Sequence, residues 1–179
     1  MVAYLLVLLG VFSRYLVAGH LPLLNFTAVT GSLVYFGARR SWREMLVPLG
    51  LFIVSDFCLT TYVYHYTFNW QGYVITWMWY AAAMFLGLIL LSSKTTFVRG
   101  AAAAVLGPTS FFLVSNYSVW AGSIMYPHTL AGLGTCYIAA IPFYRNDLVA
   151  TTIVLGVTLG AEALVRKTRQ AETGAAKAA

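Results

Sequence analysis

Long apolar runs separated by short polar segments are the feature that most constrains how this chain folds. A helix needs about 20 apolar residues to cross the hydrocarbon core of a bilayer. Only 9% of the 179 residues are charged, against about 25% in soluble domains, so a soluble globular domain and a disordered chain are excluded. Six apolar runs cover residues 1–19, 26–38, 44–62, 72–91, 98–115 and 148–165. The sequence therefore predicts an all-α, polytopic membrane helix bundle with about six transmembrane helices.

A further apolar stretch, residues 130–144, lies between the fifth and sixth runs and is interrupted by Gly132, Gly134 and Pro142. We expect a re-entrant or partial helix here rather than a full span. Irregular backbone at membrane depth is tolerated only where it is buried in protein or lines a cavity. We assign residues 1–167 to a single membrane domain and expect residues 168–179, which are polar and rich in alanine, to form a disordered cytoplasmic tail.

The basic residues mark one side of the membrane. Nine of the eleven Lys and Arg residues occupy positions 39–43, 94–99 and 166–177, whereas the loops at 20–25, 63–71 and 116–129 contain none. By the positive-inside rule, this pattern places both termini in the cytoplasm and the protein in the inner (plasma) membrane. Because the net charge of +6 arises from these topology signals, we expect the lipid bilayer as a partner and no nucleic acid.

The three uncharged loops are rich in aromatic, amide and imidazole side chains, and they hold all three histidines. One interpretation is an aromatic belt at the membrane–water interface, where Tyr and Trp commonly lie. The other is a pocket on the outer face, in which aromatic walls and a few polar groups would suit a small planar solute. The sequence leaves both interpretations open.

Ionisable residues inside or beside the apolar runs form a second group of candidates: Arg14, Asp56, Arg145 and Asp147. Intramembrane charge is costly and is usually paired or functional. Arg14 and Asp56 both lie toward the outer ends of their helices, so a pair between them is one prediction. Arg145 and Asp147 could pair locally, or one of them could meet a charge on a ligand. Glu162 is placed to reach Arg166 on the same helix.

Catalytic and metal-binding motifs are missing from the sequence. The histidines lack the spacing of a metal site, and no nucleophile motif or phosphate-binding loop is present. Cys58 and Cys136 lie in apolar surroundings without CxxC spacing, as expected for packed thiols. We therefore expect no enzyme activity, no metal and no cofactor.

Several segments resemble motifs of an uncharacterised family of small bacterial multi-pass membrane proteins, over about residues 10–166. The resemblance rests on Asn25–Thr27, Ser55–Asp56, Asn116–Trp120, Tyr126–Pro127 and Cys136–Asn146, of which the last is the most specific. In layout this family is similar to the substrate-binding (S) components of energy-coupling-factor vitamin transporters. That similarity implies a ligand bound from outside and a possible energising transporter complex as partner. The small-xxx-small motif with which the first helix of S components docks is absent, because Ala3, Val7 and Val11 stand at those positions.

Two functional hypotheses follow. The first is a solute-binding or uptake subunit for a small, planar, vitamin-like organic molecule, with its pocket on the outer face. The second is a structural or assembly protein without a ligand that docks another membrane protein. Under the first hypothesis, the candidate ligand-binding residues are His20, Asn25, Asp56, Tyr62, His65, Trp70, Asn116, Trp120, Tyr126, His128 and Tyr137.

Overall fold

Six α-helices make up the bundle in the computed structural model, which describes residues 1–19 and 26–178, apart from the side chains of residues 19 and 174–178. Within these residues the structure contains no strand, and the predicted all-α class is confirmed. Short 3₁₀ turns precede α3 and α4, at Trp42–Met45 and Trp70–Tyr73, and a π-helical turn, Leu59–Val63, follows α3. The helices are α1 (Val2–Gly19), α2 (Val29–Arg39), α3 (Leu46–Cys58), α4 (Val74–Leu91), α5 (Phe97–Gly122) and α6 (Leu130–Ala178).

Helix α2 is the centre of the bundle. It has only 11 residues, and all ten from Val29 to Ala38 are buried. At a rise of about 1.5 Å per residue it is too short to cross a bilayer by itself, but it packs against α1, α4, α5 and α6. The backbone N–H of Ala28, just before the helix, donates to the Ser13 hydroxyl on α1 at 3.0 Å. A side chain of the protein therefore satisfies this backbone N–H, which lies outside regular helix.

Glycine allows α2 and α4 to touch backbone to backbone. A Cβ atom at Gly37 would lie 1.8 Å from the carbonyl oxygen of Met84, and one at Gly87 would lie 1.9 Å from that of Val34. The two contacts are reciprocal across the same parallel crossing, in which the C-terminal ends of both helices lie together, since Arg39 donates to the Leu91 carbonyl. Small residues at a helix interface permit this close approach inside a membrane, as the glycine, alanine and serine content of the second apolar run indicates. By contrast, Cβ atoms at Gly156 and Gly160, which have GxxxG spacing, would meet nothing within 4 Å.

Consecutive helices run in opposite directions. Tyr4 near the start of α1 donates to Glu44 beside the start of α3, at 2.5 Å, and Arg14 near the end of α1 pairs with Asp56 near the end of α3. Helices α1 and α3 are therefore parallel to each other, with the antiparallel α2 between them in sequence. The turns at 40–41 and 92–96 consequently lie at one end of the bundle, together with the N-terminus and the basic end of α6.

Within residues 1–19 and 26–178, four helical stretches are long and apolar enough to cross a membrane: Trp42–Val63, Trp70–Leu91, Phe97–Gly122 and Leu130–Thr173. Val2–Ala18 is a shorter apolar helix. These lengths and compositions agree with a polytopic membrane protein. The first helix also turns Ala3 and Val7 into the core, where they are 4% and 1% exposed. These two positions therefore pack inside the bundle.

The predicted re-entrant or partial helix over 130–144 is wrong. These residues form the first part of α6, which continues without a break through Pro142 and includes residues 168–178. Gly132 lets the start of the helix approach the preceding loop, since a Cβ there would lie 2.0 Å from the carbonyl oxygen of Pro127. Glycine and proline are tolerated in membrane helices more readily than in water-soluble ones, so they did not end this helix.

We expect Gly87→Ala to destabilise the bundle because the added methyl group collides with backbone that cannot move away by changing rotamer. Overpacking typically costs about 1–3 kcal/mol, and a collision with backbone should lie at the upper end of that range. Thermal unfolding in detergent, followed by tryptophan fluorescence, measures the loss. Gly156→Ala is the matched control, because its methyl group has open space. Equal melting temperatures for the two variants would contradict the close α2–α4 contact.

The alternating helix directions and the distribution of basic residues together predict the topology. Asn69→Cys and Ser41→Cys, each in a chain with Cys58→Ala and Cys136→Ala, should report opposite sides, since both positions are exposed and lie at opposite ends of the bundle. A membrane-impermeant maleimide should label position 69 in intact cells and position 41 only after permeabilisation. Labelling of both positions in intact cells would disprove the arrangement.

Candidate functional site

Arg14 and Asp56 form an ion pair that joins α1 to α3 inside the bundle. The Arg14 guanidinium also donates to the Ser55 hydroxyl, at 3.1 Å. From α4, Trp77 donates its indole N–H to the second oxygen of Asp56 at 2.8 Å, and the Tyr80 hydroxyl lies 3.5 Å from the first. The structure thus contains the pair that the sequence analysis considers, and it adds two partners from a third helix.

This Arg14–Asp56 cluster is a closed polar seam. The Asp56 side chain is only 1% exposed, and the Arg14 side chain is 18% exposed. Both carboxylate oxygens of Asp56 already accept hydrogen bonds, which is the condition under which a buried charge is tolerated. The cluster therefore links three helices, and the guanidinium of Arg14 balances the charge of Asp56.

The helical turn that follows α3 is wider than an α-helical turn and lies beside this seam. Leu59–Val63 adopts π-helical geometry, a feature often found at functional sites. The Thr60 hydroxyl donates to the Asp56 carbonyl at 2.8 Å and lies 2.5 Å from the Tyr73 hydroxyl. A cavity of about 200 Å³ opens here, which we call the central cavity. Its polar lining residues are Arg14, Thr27, Thr30, Asp56, Tyr64, Tyr73, Thr76, Tyr80 and Asp147.

A second and larger cavity, the α5–α6 cleft, has a volume of about 290 Å³. It shares two wall residues, Phe111 and Asp147, with the central cavity. The Asn116 carbonyl accepts a hydrogen bond from the Cys136 thiol at 3.4 Å toward one end of the cleft. The lining comprises Pro108, Phe111, Phe112, Ser115, Asn116, Val119, Met125, Tyr126, Cys136, Ala139, Ala140, Phe143, Tyr144 and Asp147.

Aromatic rings give this cleft its shape. The rings of Phe112 and Tyr144 lie 4.9 Å apart, centre to centre, and the Tyr144 hydroxyl is within 3.0 Å of the Thr109 hydroxyl. Phe111 packs on Trp79 of α4 at 4.5 Å. These contacts between neighbouring side chains hold the rings in place, so the cleft is formed before any solute enters it.

Asp147 is the buried charge at the deep end of the cleft. It is 7% exposed and accepts hydrogen bonds from the hydroxyls of Thr30 at 3.0 Å and Thr151 at 3.3 Å. In the part of the chain that the structure describes, Asp147 makes no ion pair with Arg145, which is exposed. The local Arg145–Asp147 pair and a buried network that includes Arg145 are therefore wrong. Glu162 binds Arg39 of α2 at 2.6 Å rather than Arg166.

Several candidates form the outer edge of the bundle around the cleft. Trp120 donates its indole N–H to the Pro127 carbonyl at 2.9 Å and contacts the exposed His128 ring at 5.6 Å. Trp120 therefore closes the α5–α6 loop and does not line the cleft. Tyr137 donates to the Leu113 carbonyl at 2.7 Å and packs its ring on Phe112. Tyr137 therefore packs against a residue that lines the cleft without lining it itself.

Other candidates lie away from either cavity. Tyr62, His65 and Trp70 are exposed, as expected of residues in an interface belt. His65 has a φ of 56° in the loop between α3 and α4. His20 and Asn25 lie outside the described residues. Of the predicted ligand-binding residues, the structure places Asn116 and Tyr126 in the cleft and Asp56 beside the central cavity.

Sequence reasoning missed Phe111, Phe112, Phe143 and Tyr144. Their spacing is helical: positions 108, 111, 112, 115, 116 and 119 of α5 follow the same pattern as positions 136, 139, 140, 143, 144 and 147 of α6. Each set is one face of a helix. The expectation of a partial or re-entrant helix over 130–144, separate from the run at 148–165, concealed the second face, because that face belongs to one continuous helix and extends to Asp147.

The fold and its cavities define a polytopic, all-α helical protein with apolar helices of membrane-spanning length. Within that class, the chain belongs to a family of unknown function (DUF6580), whose profile matches residues 1–173. This match covers α1 to α5 and all of α6 except its last five residues. No curated protein and no solved structure matches the chain.

The Arg14–Asp56 seam predicts an asymmetric double-mutant cycle. Removing one partner of a buried pair typically costs about 3–5 kcal/mol. We expect Arg14→Ala to destabilise more than Asp56→Ala, because it strands a carboxylate that is 1% exposed, whereas Arg14 is 18% exposed and can reach water. The double variant should lose much less than the sum. Additive losses of detergent-solubilised stability would show that the two residues do not act as partners.

Proposed function

We propose that this protein is a membrane solute-binding or uptake subunit whose site is the α5–α6 cleft. The observation that carries the proposal is a cavity of about 290 Å³, walled by aromatic rings and containing a few convergent polar groups. Small-molecule sites are typically concave, mostly apolar and about 300–1,000 Å³ in volume. The cleft lies at the lower end of that range, so the solute is a small one.

The arrangement of the walls suits a flat molecule. Phe112 of α5 and Tyr144 of α6 both line the cleft and contact each other there, and aromatic rings bind planar groups by stacking and by burial of apolar surface. Asn116 supplies a polar contact near the outer end. Its amide N–H group donates to the Phe112 carbonyl at 2.8 Å. The side-chain oxygen has one long contact, with the Cys136 thiol at 4.0 Å, and a carbonyl oxygen has a second acceptor position for a donor on the solute.

The loop between α5 and α6 covers the outer end of the cleft. Met125 and Tyr126 of this loop belong to the lining, and the Trp120–Pro127 hydrogen bond holds the loop against α5. We propose that the solute reaches the cleft past this loop from outside the cell, with both termini in the cytoplasm of a bacterial inner-membrane protein. The positive-inside pattern supports that orientation.

Transport by this subunit would require an energising partner. The chain has 179 residues and no nucleotide-binding motif, and the layout similarity to S components suggests a transporter complex. We propose such a complex as the partner. The docking surface would involve residues other than Ala3 and Val7, because these two face the core.

The second candidate is a structural or assembly protein without a ligand. The closed Arg14–Asp56 seam supports it, because that seam holds helices together and offers no free group. This candidate predicts that the cleft binds no solute. The experiment below therefore separates the two candidates.

Filling the cleft tests the proposal. Ala139 lines it, whereas Ala163 is exposed farther along the same helix. We expect a small organic molecule to co-purify with the wild type and with Ala163→Trp, and to be lost from Ala139→Trp, because the indole occupies the site. Mass spectrometry of the extracted protein identifies the molecule. If all three proteins carry the same small molecules in equal amounts, or carry none, the assembly function becomes the better account.

A further inference from the structure

We infer that the α5–α6 cleft takes a small organic cation: a molecule with an ammonium group attached to a flat or apolar body. This inference rests on the proposed function and adds the chemical class of the solute.

The charges around the cleft are the first step. Among the described residues that line it, Asp147 is the one ionisable group that is charged at neutral pH, and no Lys, Arg or His is present. Arg14 lines the neighbouring central cavity, but its guanidinium is already bonded to Ser55 and Asp56. A ligand carboxylate would therefore meet a negative charge in the cleft and no available positive one.

The hydrogen bonds of Asp147 are the second step. Each of its oxygens accepts one hydroxyl hydrogen, from Thr30 and from Thr151. A carboxylate has about four acceptor positions, so about two remain, and the side chain forms part of the wall of both cavities. The two threonine hydroxyls fix the carboxylate without neutralising it. A buried carboxylate without a counter-ion is unfavourable, and an arriving cation would supply that counter-ion.

The rings beside Asp147 are the third step. Phe143 and Tyr144 precede it by one helical turn on the same face of α6, and Phe111 and Phe112 face them from α5. The faces of aromatic rings attract ammonium groups and bind poorly to anions. Rings of this kind around a single carboxylate suit an organic ammonium better than a hydrated metal ion, which prefers a shell of oxygen ligands.

Three isosteric probes test the inference on the purified full chain: benzylammonium, benzyl alcohol and benzoate. Ligand-induced shifts of thermal unfolding at increasing probe concentration give the apparent affinities. We expect benzylammonium to bind at least about tenfold more tightly than either of the other two, as hydrogen bonds to a charged partner are the stronger ones. Equal binding of the three, preference for benzoate, or binding of none at millimolar concentration would overturn the inference.

Asp147→Asn keeps the shape of the side chain and removes its charge. We expect this variant to bind benzylammonium and benzyl alcohol equally, whereas the control Glu172→Gln, which removes an exposed carboxylate from the same helix, should keep the tenfold preference. If Asp147→Asn keeps the preference, Asp147 is not the recognising group. To test for a metal-ion site, potassium is exchanged for sodium at constant ionic strength. Stabilisation by sodium that displaces benzylammonium and disappears in Asp147→Asn would identify a metal-ion site and overturn the inference.

The two proposals fail in different ways. A neutral or anionic molecule that co-purifies with the wild type and is lost from Ala139→Trp would keep the binding function and refute the cationic class. Benzylammonium that binds equally to the wild type and to Ala139→Trp would show that the cation is recognised outside the cleft, which contradicts both.

Discussion

The direct contact between α2 and α4 is the constraint on which the rest of the bundle depends. Gly37 and Gly87 bring the two backbones so close that neither position has room for a Cβ atom. Because α2 is short and buried from Val29 to Ala38, it has no lipid-facing surface to hold it in place. Its position is determined by its neighbours, above all by α4. The other helices then pack around this pair. Side chains of α2 also donate hydrogen bonds to carboxylates of α6: Thr30 donates to Asp147, and both Tyr35 and Arg39 donate to Glu162.

Two buried carboxylates of this bundle have different surroundings, and the difference carries the functional argument. Asp56 meets a guanidinium, which balances its charge, and an indole N–H. Among the described residues, Asp147 accepts hydrogen bonds from two uncharged threonine hydroxyls and borders two cavities. The first arrangement is complete without a ligand and holds helices together. The second gains from the arrival of a positive charge.

Sequence reasoning found part of the candidate site. Asn116, Tyr126 and Asp147 were identified from their residue types in apolar or loop surroundings, and the cleft contains all three. It did not find Phe111, Phe112, Phe143 or Tyr144, since a phenylalanine in a membrane helix has the same composition signal whether it faces lipid, core or cavity. Trp120 was selected for its size, but a hydrogen bond to the Pro127 carbonyl turns its indole toward the loop.

The sequence by itself determined the all-α class, the membrane-spanning lengths of most helices and the placement of basic residues at one end, because these depend on hydropathy and charge along the chain. It also restricted the partners of Arg14 to a few buried acids. Only the tertiary structure decided that α6 passes through Pro142 without a break and that α2 lies at the centre. It also decided that Arg14 pairs with Asp56, whereas Asp147 borders the cleft with acceptor positions to spare. One physical reason is that proline and glycine need not end a helix whose backbone is surrounded by neighbouring helices. The other is that the partner of a buried charge depends on packing between helices that are distant in sequence.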